Sequence, residues 1–111
     1  MKVIWKEPAR RRLDDLYEFI AGGNPRAAAK IYNDIVDETA LLSEFPQMAA
    51  VEPLLGRMDK IFRSLVVARA YKVVYYIDEA ANEIAVIEVW DCRQDPSKLR
   101  KNVLKKRTAK K

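Results

Sequence analysis

Few residue types in this sequence can do chemistry. Its 111 residues include no histidine and one cysteine, Cys92. That removes the commonest general base, the Ser–His and Cys–His pairs, and histidine metal sites. A single cysteine cannot build the usual zinc site, and no glycine-rich phosphate loop is present, so neither metal nor cofactor is expected. The adjacent carboxylates Asp14 and Asp15 fall on the polar side of a predicted helix and read as solvent-facing charge. Nothing near Cys92 in the sequence activates its thiol, so it reads as a small, half-buried side chain at a strand end. Cations remain: Arg63, Lys72 and Arg93. They suit a phosphate or an acidic partner. Ordinary surface charge, paired with Glu88 and Asp91, is the competing reading.

Arg93 lies in the stretch VWDCRQDPSKL, residues 89–99. A strand runs out at Trp90, and Asp95-Pro96 is a cap-plus-proline signature that opens a helix. Trp5 and Trp90 read as packing residues, and Trp90 at a strand end also suits a partner contact.

The elements that position these residues are legible from periodicity. Lys2–Lys6 is a short strand of branched and aromatic residues. Pro8 opens a helix in which Ala9, Leu13, Leu16, Tyr17 and Ile20 form one apolar stripe, and Gly22-Gly23 ends it. Asn24-Pro25 starts a second helix with Ala28, Ile31, Ile35 and Leu42 on one face, reaching about Glu44. So short a connection forces an antiparallel hairpin. Residues 46–59, with two prolines and a glycine, read as a loop with room for a helical turn. Residues 60–67, 71–78 and 83–90 form a meander of three Val-, Ile- and Tyr-rich strands. A short helix with Leu99 and Val103 at i and i+4 closes the chain. The expected fold is α+β, β-α-α-β-β-β-α, a helical hairpin on a mainly antiparallel four-stranded sheet.

Strand alternation sorts the faces. With Tyr71, Val73, Tyr75 and Ile77 toward the hairpin, Lys72, Val74 and Tyr76 point away. Placing Arg63 on that outer face brings Leu65 and Val67 with it, and on the last strand Val86, Glu88 and Trp90. Such a mixture of charge and large apolar groups is unsuited to water and should be covered by a partner or by the C-terminal helix.

The length fits one domain, expected to span 1–104, followed by a basic tail at 105–111. The net charge of +5 belongs to the end of the chain. Of 21 basic residues, eight lie in 98–111 beside no acid, which leaves 13 against all 16 acids in 1–97, a balance of −3. Such a tail attracts phosphates or an acidic surface. With no apolar span, no leader-like segment and one cysteine, the expectation is a cytoplasmic protein with no membrane partner.

Taken in order, several of these motifs resemble the RelE/ParE toxin superfamily of bacterial type II toxin–antitoxin modules. They are the first strand with Trp5, NPRAA (24–28), Phe45-Pro46, Arg63-Ser64-Leu65, YKVVYYID (71–78) and VWDCRQDPSKL. The resemblance runs from residue 2 to about residue 100 and implies the same helical hairpin on a sheet. RelE-like members are ribosome-dependent endoribonucleases that cut mRNA with a cluster of lysines and arginines, and in some members a C-terminal tyrosine. ParE-like members, which include plasmid-stabilization toxins, share the fold, lack the full set and poison DNA gyrase. Here Arg63 falls at the pattern's first lysine, Leu65 at its second, Lys72 at its strand arginine, and Arg93 near its C-terminal arginine. No tyrosine follows Tyr76. Arginine stays protonated and makes a poor base, so Lys72 alone remains for that role, which favours a ParE-like reading. The resemblance implies a cognate antitoxin and either DNA gyrase or ribosome and mRNA as target. It leaves a homodimer or a toxin–antitoxin hetero-oligomer as the assembly. A non-toxic, partner-binding orphan of the same fold stays open. Arg63, Lys72 and Arg93 are the catalytic candidates, and Arg63, Leu65, Lys72, Val74, Tyr76, Trp90 and Arg93 the target- or antitoxin-binding set. Arg93 is expected beside Arg63 and Lys72 at the sheet edge.

Overall fold

Two proline signals and a glycine pair punctuate the first forty residues, and the chain obeys them. The computed structural model describes residues 1–56 and 59–109, and side chains only as far as residue 104. It places β1 at Lys2–Trp5, α1 at Glu7–Ala21 and α2 at Pro25–Ala40. The Asn24 side chain accepts a hydrogen bond from the Ala27 N–H at 3.1 Å, which satisfies one of the donors that open every helix. A 3₁₀ turn at Leu41–Ser43 extends α2 toward Pro46.

Beyond the hairpin come β2 (Ala50–Val51), β3 (Phe62–Val67), β4 (Tyr71–Asp78), β5 (Glu83–Asp91) and α3 (Ser97–Ala109). Among the described residues the sheet has five strands in the order β1-β5-β4-β3-β2. β1 runs parallel to β5, and the remaining pairs are antiparallel. The fifth strand is β2, inside the stretch expected to be a loop. Two residues show no alternation, so only pairing with Ser64 and Arg63 reveals it. α3 crosses the expected boundary at Leu104, while residues 110 and 111 of the expected tail and its side chains lie outside the described residues. No described helix is long and apolar enough to cross a membrane.

The hairpin covers one sheet face. Leu13, Ile35, Val73 and Tyr75 are buried together, with Leu16, Ile20 and Ile31 packed against them. Leu16 is only half-buried, whereas Leu13 retains 4% of its surface. Leu13→Ala is therefore expected to cost ~2–5 kcal/mol, and Leu16→Ala clearly less. Urea unfolding of both decides it, and equal losses would mean that α1 is rotated from this position.

The opposite face carries a second core. Leu55, Phe62, Val74, Trp90, Leu99 and Val103 cluster there, with Tyr76 and Ile87 against them. The C-terminal helix is thus what covers the mixed face. Two face assignments from the sequence are corrected. Arg63, Leu65 and Val67 pair with Tyr75, Val73 and Tyr71, so they lie on the hairpin side rather than with Lys72. Val86 also belongs to the hairpin side. For Val86 the cause is a bulge: Val74 faces Glu88 while the next residue, Tyr75, faces Val86, and the extra residue, Ile87, inverts the alternation.

The β3–β4 turn is strained. Ala68 and Arg69 have φ of 53° and 57°, and the Ala70 N–H closes the turn on the Val67 carbonyl at 3.2 Å. Positive φ at both central residues suits the twist of a hairpin but disfavours any residue with a Cβ. Arg69→Gly is expected to raise stability by ~0.5–1 kcal/mol, and a drop in melting temperature would argue against that strain.

Candidate functional site

The three expected cations occupy three different places. Lys72, on β4, directs its Nζ to Glu52 Oε1 at 2.6 Å. Glu52 is 1% exposed and follows β2. Its Oε1 also accepts from Ser64 Oγ at 2.8 Å, and its Oε2 from the Leu54 N–H at 2.9 Å. Burial pushes the Glu52 carboxyl up, but hydrogen bonds from Lys72, Leu54 and Ser64 outweigh it and hold the group below its ordinary value. Sequence reasoning missed Glu52. The signal was present: Glu52-Pro53 opens a 3₁₀ turn, as Asn24-Pro25 and Asp95-Pro96 open helices.

Arg63 reaches the other way. Its Nη1 donates to the Ala49 carbonyl at 2.8 Å, and opposite it the buried Tyr75 hydroxyl donates to the Pro46 carbonyl at 2.7 Å. Together these bonds hold the segment between α2 and β2. Burial pushes the Tyr75 hydroxyl above its ordinary value, so it stays a donor. Beside Arg63 is an open recess of about 300 Å³ lined by Gln47, Lys60, Ile61, Tyr76, Ile77, Asp78 and Glu79. Lys60 Nζ lies 4.6 Å from the Tyr76 ring centroid, and that ring meets Phe62 edge-on at 5.8 Å.

Arg93 stands at the C-terminal end of β5. Its Nε and Nη2 donate to the two oxygens of Asp91 at 2.9 and 2.7 Å, and its backbone N–H also bonds Asp91. The guanidinium lies 5.9 Å from the Tyr71 ring centroid. Hydrogen bonds from Arg93 hold the Asp91 carboxyl below the usual carboxylate range. Next to it, Cys92 is exposed, and desolvation of its sulfur, with Asp91 and Glu52 nearby, pushes the thiol up despite Lys72. No activated nucleophile forms there. Asp95 caps the following helix by accepting from the Ser97 N–H and hydroxyl, both at 3.0 Å.

The expected cluster of Arg63, Lys72 and Arg93 is therefore not assembled. Arg63 sits at the level of Tyr75 and Arg93 touches Tyr71, four residues along β4, or roughly 13 Å at strand rise. Lys72 is on the opposite face from Arg63 and is committed to Glu52. Of the apolar candidates, Leu65 packs against the hairpin core, while Val74 and Trp90, at 0% and 3% exposure, lie beneath α3. Tyr76 is half-buried and lines the recess. Among the described residues no group of carboxylates and thiols has the arrangement of a metal site.

Comparison with known proteins agrees with this architecture. The chromosomal ParDE system from P. aeruginosa contains a chain similar in fold, with a TM-score of 0.68 and 22% identity over 82% of this chain and 95% of that one. The RelBE2 toxin–antitoxin complex from Mycobacterium tuberculosis is similar at a TM-score of 0.52 and 22% identity, over 81% of this chain and 95% of that one. No curated protein sequence matches. The model of a family described as the ParE toxin of the type II toxin–antitoxin system parDE matches residues 3–96. With nearly the whole fold inside that match, from β1 through the cap of α3, this chain belongs to the ParE toxin family of type II toxin–antitoxin systems.

Proposed function

We propose that this toxin acts by binding DNA gyrase and inhibiting it, without cutting RNA, and that a cognate antitoxin neutralises it. The dispersal of the cations carries this reading. RNA cleavage through a 2′-hydroxyl needs a proton acceptor and cations converging on one phosphate. Here Lys72 is bonded to Glu52 on the face opposite Arg63, and Arg93 lies roughly 13 Å along the sheet from Arg63, so the three do not converge on one phosphate. A surface that grips a protein has no such requirement. Similar folds come from the ParDE and RelBE2 systems, which fits an antitoxin partner for this chain.

The surface that fits an antitoxin is the part of the expected set that stays accessible. An apolar segment bearing acids would cover Tyr76 and the 69%-exposed Ile61, and neutralise Arg63 or Arg93. Arg93 is exposed yet oriented by Asp91, so it can share its fork with a second carboxylate or phosphate. Arg93→Ala is expected to weaken binding of antitoxin or target about tenfold at low and high salt alike. Deletion of residues 105–111 should instead slow association at low salt. Binding kinetics of both variants test this. An Arg93→Ala chain that binds normally would put the contact elsewhere.

Expression of the full chain tests the proposed target. Inhibition of supercoiling by purified gyrase and a DNA-damage response are expected. Depletion of translated mRNA over an intact chromosome would overturn the reading in favour of a ribosome-dependent endoribonuclease.

A further inference from the structure

We infer that α3 is a ridge that grips the phosphate backbone of duplex DNA, which, on the reading above, is the DNA that gyrase holds. Ser97–Ala109 contains no acid. Lys98, Arg100 and Lys101 are exposed, and Lys105, Lys106 and Arg107 continue the run in sequence. Leu99 and Val103, at 0% and 1% exposure, lock the helix onto the second core beside Trp90. At a helical step of 100° per residue, Lys98 and Arg100 flank that anchored stripe and Lys101 lies behind it. Lys98, Arg100 and Lys101 are thus carried on the turn of helix that Leu99 and Val103 anchor. Asp95, at the start of the helix, accepts from the Ser97 N–H and hydroxyl through Oδ1 and stays ionised, so it offsets the positive field only at that end. Residues 1–97 carry a balance of −3, so the positive field is local and would orient the chain on a polyanion.

The surface chemistry selects the occupant. A protein interface needs apolar anchors at its centre. The outer side of α3 offers cations and, among described side chains, Leu104 as its large apolar group. Phosphate contacts need cations alone. α3 also has no aromatic ring on which single-stranded bases would stack, which favours a duplex.

Anisotropy titration of the full chain against a short fluorescent DNA duplex, from ~50 to ~200 mM salt, tests the inference. Binding should weaken steeply with salt. The triple variant Lys98→Gln, Arg100→Gln, Lys101→Gln should lose ~10-fold or more in affinity at the lowest salt, and its log–log salt slope should be shallower by roughly 2–3. A control with the same loss of charge, Lys2→Gln, Arg10→Gln, Arg26→Gln, should stay close to the parent. All six positions are exposed, and circular dichroism verifies that each variant folds. Equal losses in the two triples, no duplex binding by the full chain at the lowest salt, or a preference for an RNA duplex of the same length would each overturn the assignment. Gyrase is absent from this titration, so the two readings fail separately. A chain that binds duplex through α3 but leaves supercoiling untouched counts against gyrase as target and supports the DNA-binding ridge.

Discussion

Lys72→Met is expected to destabilise the protein by about 3 kcal/mol, the lower end of the range for breaking a buried ion pair. The lower end applies because the Lys72 side chain is 24% exposed and water softens the loss. The cost arises at Glu52 rather than at Lys72. With the ammonium gone, a fully buried carboxylate keeps, among the described residues, the Ser64 hydroxyl and the Leu54 N–H as donors. Glu52→Gln in the same chain removes the stranded charge and should recover a large part of the loss. Urea unfolding of the single and double variants measures both steps, and a Lys72→Met protein within ~0.5 kcal/mol of the parent would show that the pair contributes nothing.

The pH dependence carries the same information with a definite sign. The folded pKa of Glu52 lies below the ordinary 4.5, so the unfolded chain binds the proton more readily. Stability from this group is complete above that value and is lost as pH falls through the lowered one. In Lys72→Met the main lowering influence is gone and burial dominates, which moves Glu52 upward and reverses the dependence. The gap between parent and variant should therefore narrow as the solution is acidified. A gap constant down to the acid limb would mean that Glu52 and Lys72 are not coupled. The same experiment bears on function. In the RelE pattern the position of Lys72 carries a catalytic arginine; here it secures the carboxylate that caps the turn at 53–55 and places Leu55 in the second core. A double variant that regains stability and still inhibits growth would support that structural role.

What could be read from the sequence, and what could not, follows from the range of each signal. Asn24 and Asp95 accept from N–H groups three and two residues on, and Pro25 presets its own φ, so the starts of α2 and α3 are legible locally. The stripe through Leu13, Ile35, Val73 and Tyr75 repeats with the period of its element, and those residues do meet. Arg63 and Val86 went to the wrong face because side depends on parity. Parity on β5 is set by a bulge at Ile87, which no residue type announces. The cap made by Glu52 is local, but its ion pair is not, because Ser64 and Lys72 are 12 and 20 residues away. The expected cation cluster failed for the same reason: Arg63 and Lys72 lie on opposite faces of the sheet, and only the register of β3 on β4 reveals it.

Leu99→Ala is expected to cost ~2–5 kcal/mol, and to do so locally. Leu99 is fully buried, and the apolar residues that α3 brings to the second core are Leu99 and Val103. A 13-residue helix dense in like charge is marginal on its own, so its stability rests on that docking. Among the described residues, the first core, under the hairpin, has none of these side chains in it. The helix should therefore detach while the sheet and hairpin stay folded. Trp90 and Val74, now under α3, would meet water. The signature is a red shift of tryptophan emission and fast amide exchange confined to residues 97–109, with protection retained in β4 and α2. Detachment would also uncover the apolar outer face that the sequence suggested for a partner. An antitoxin that needs this face should bind the variant more tightly, because part of the opening cost is already met. An antitoxin held at the recess near Arg63 and Tyr76 should bind it no differently. Uniform loss of protection across the whole chain would show instead that the two cores unfold as one, and that α3 is integral to the sheet rather than latched upon it.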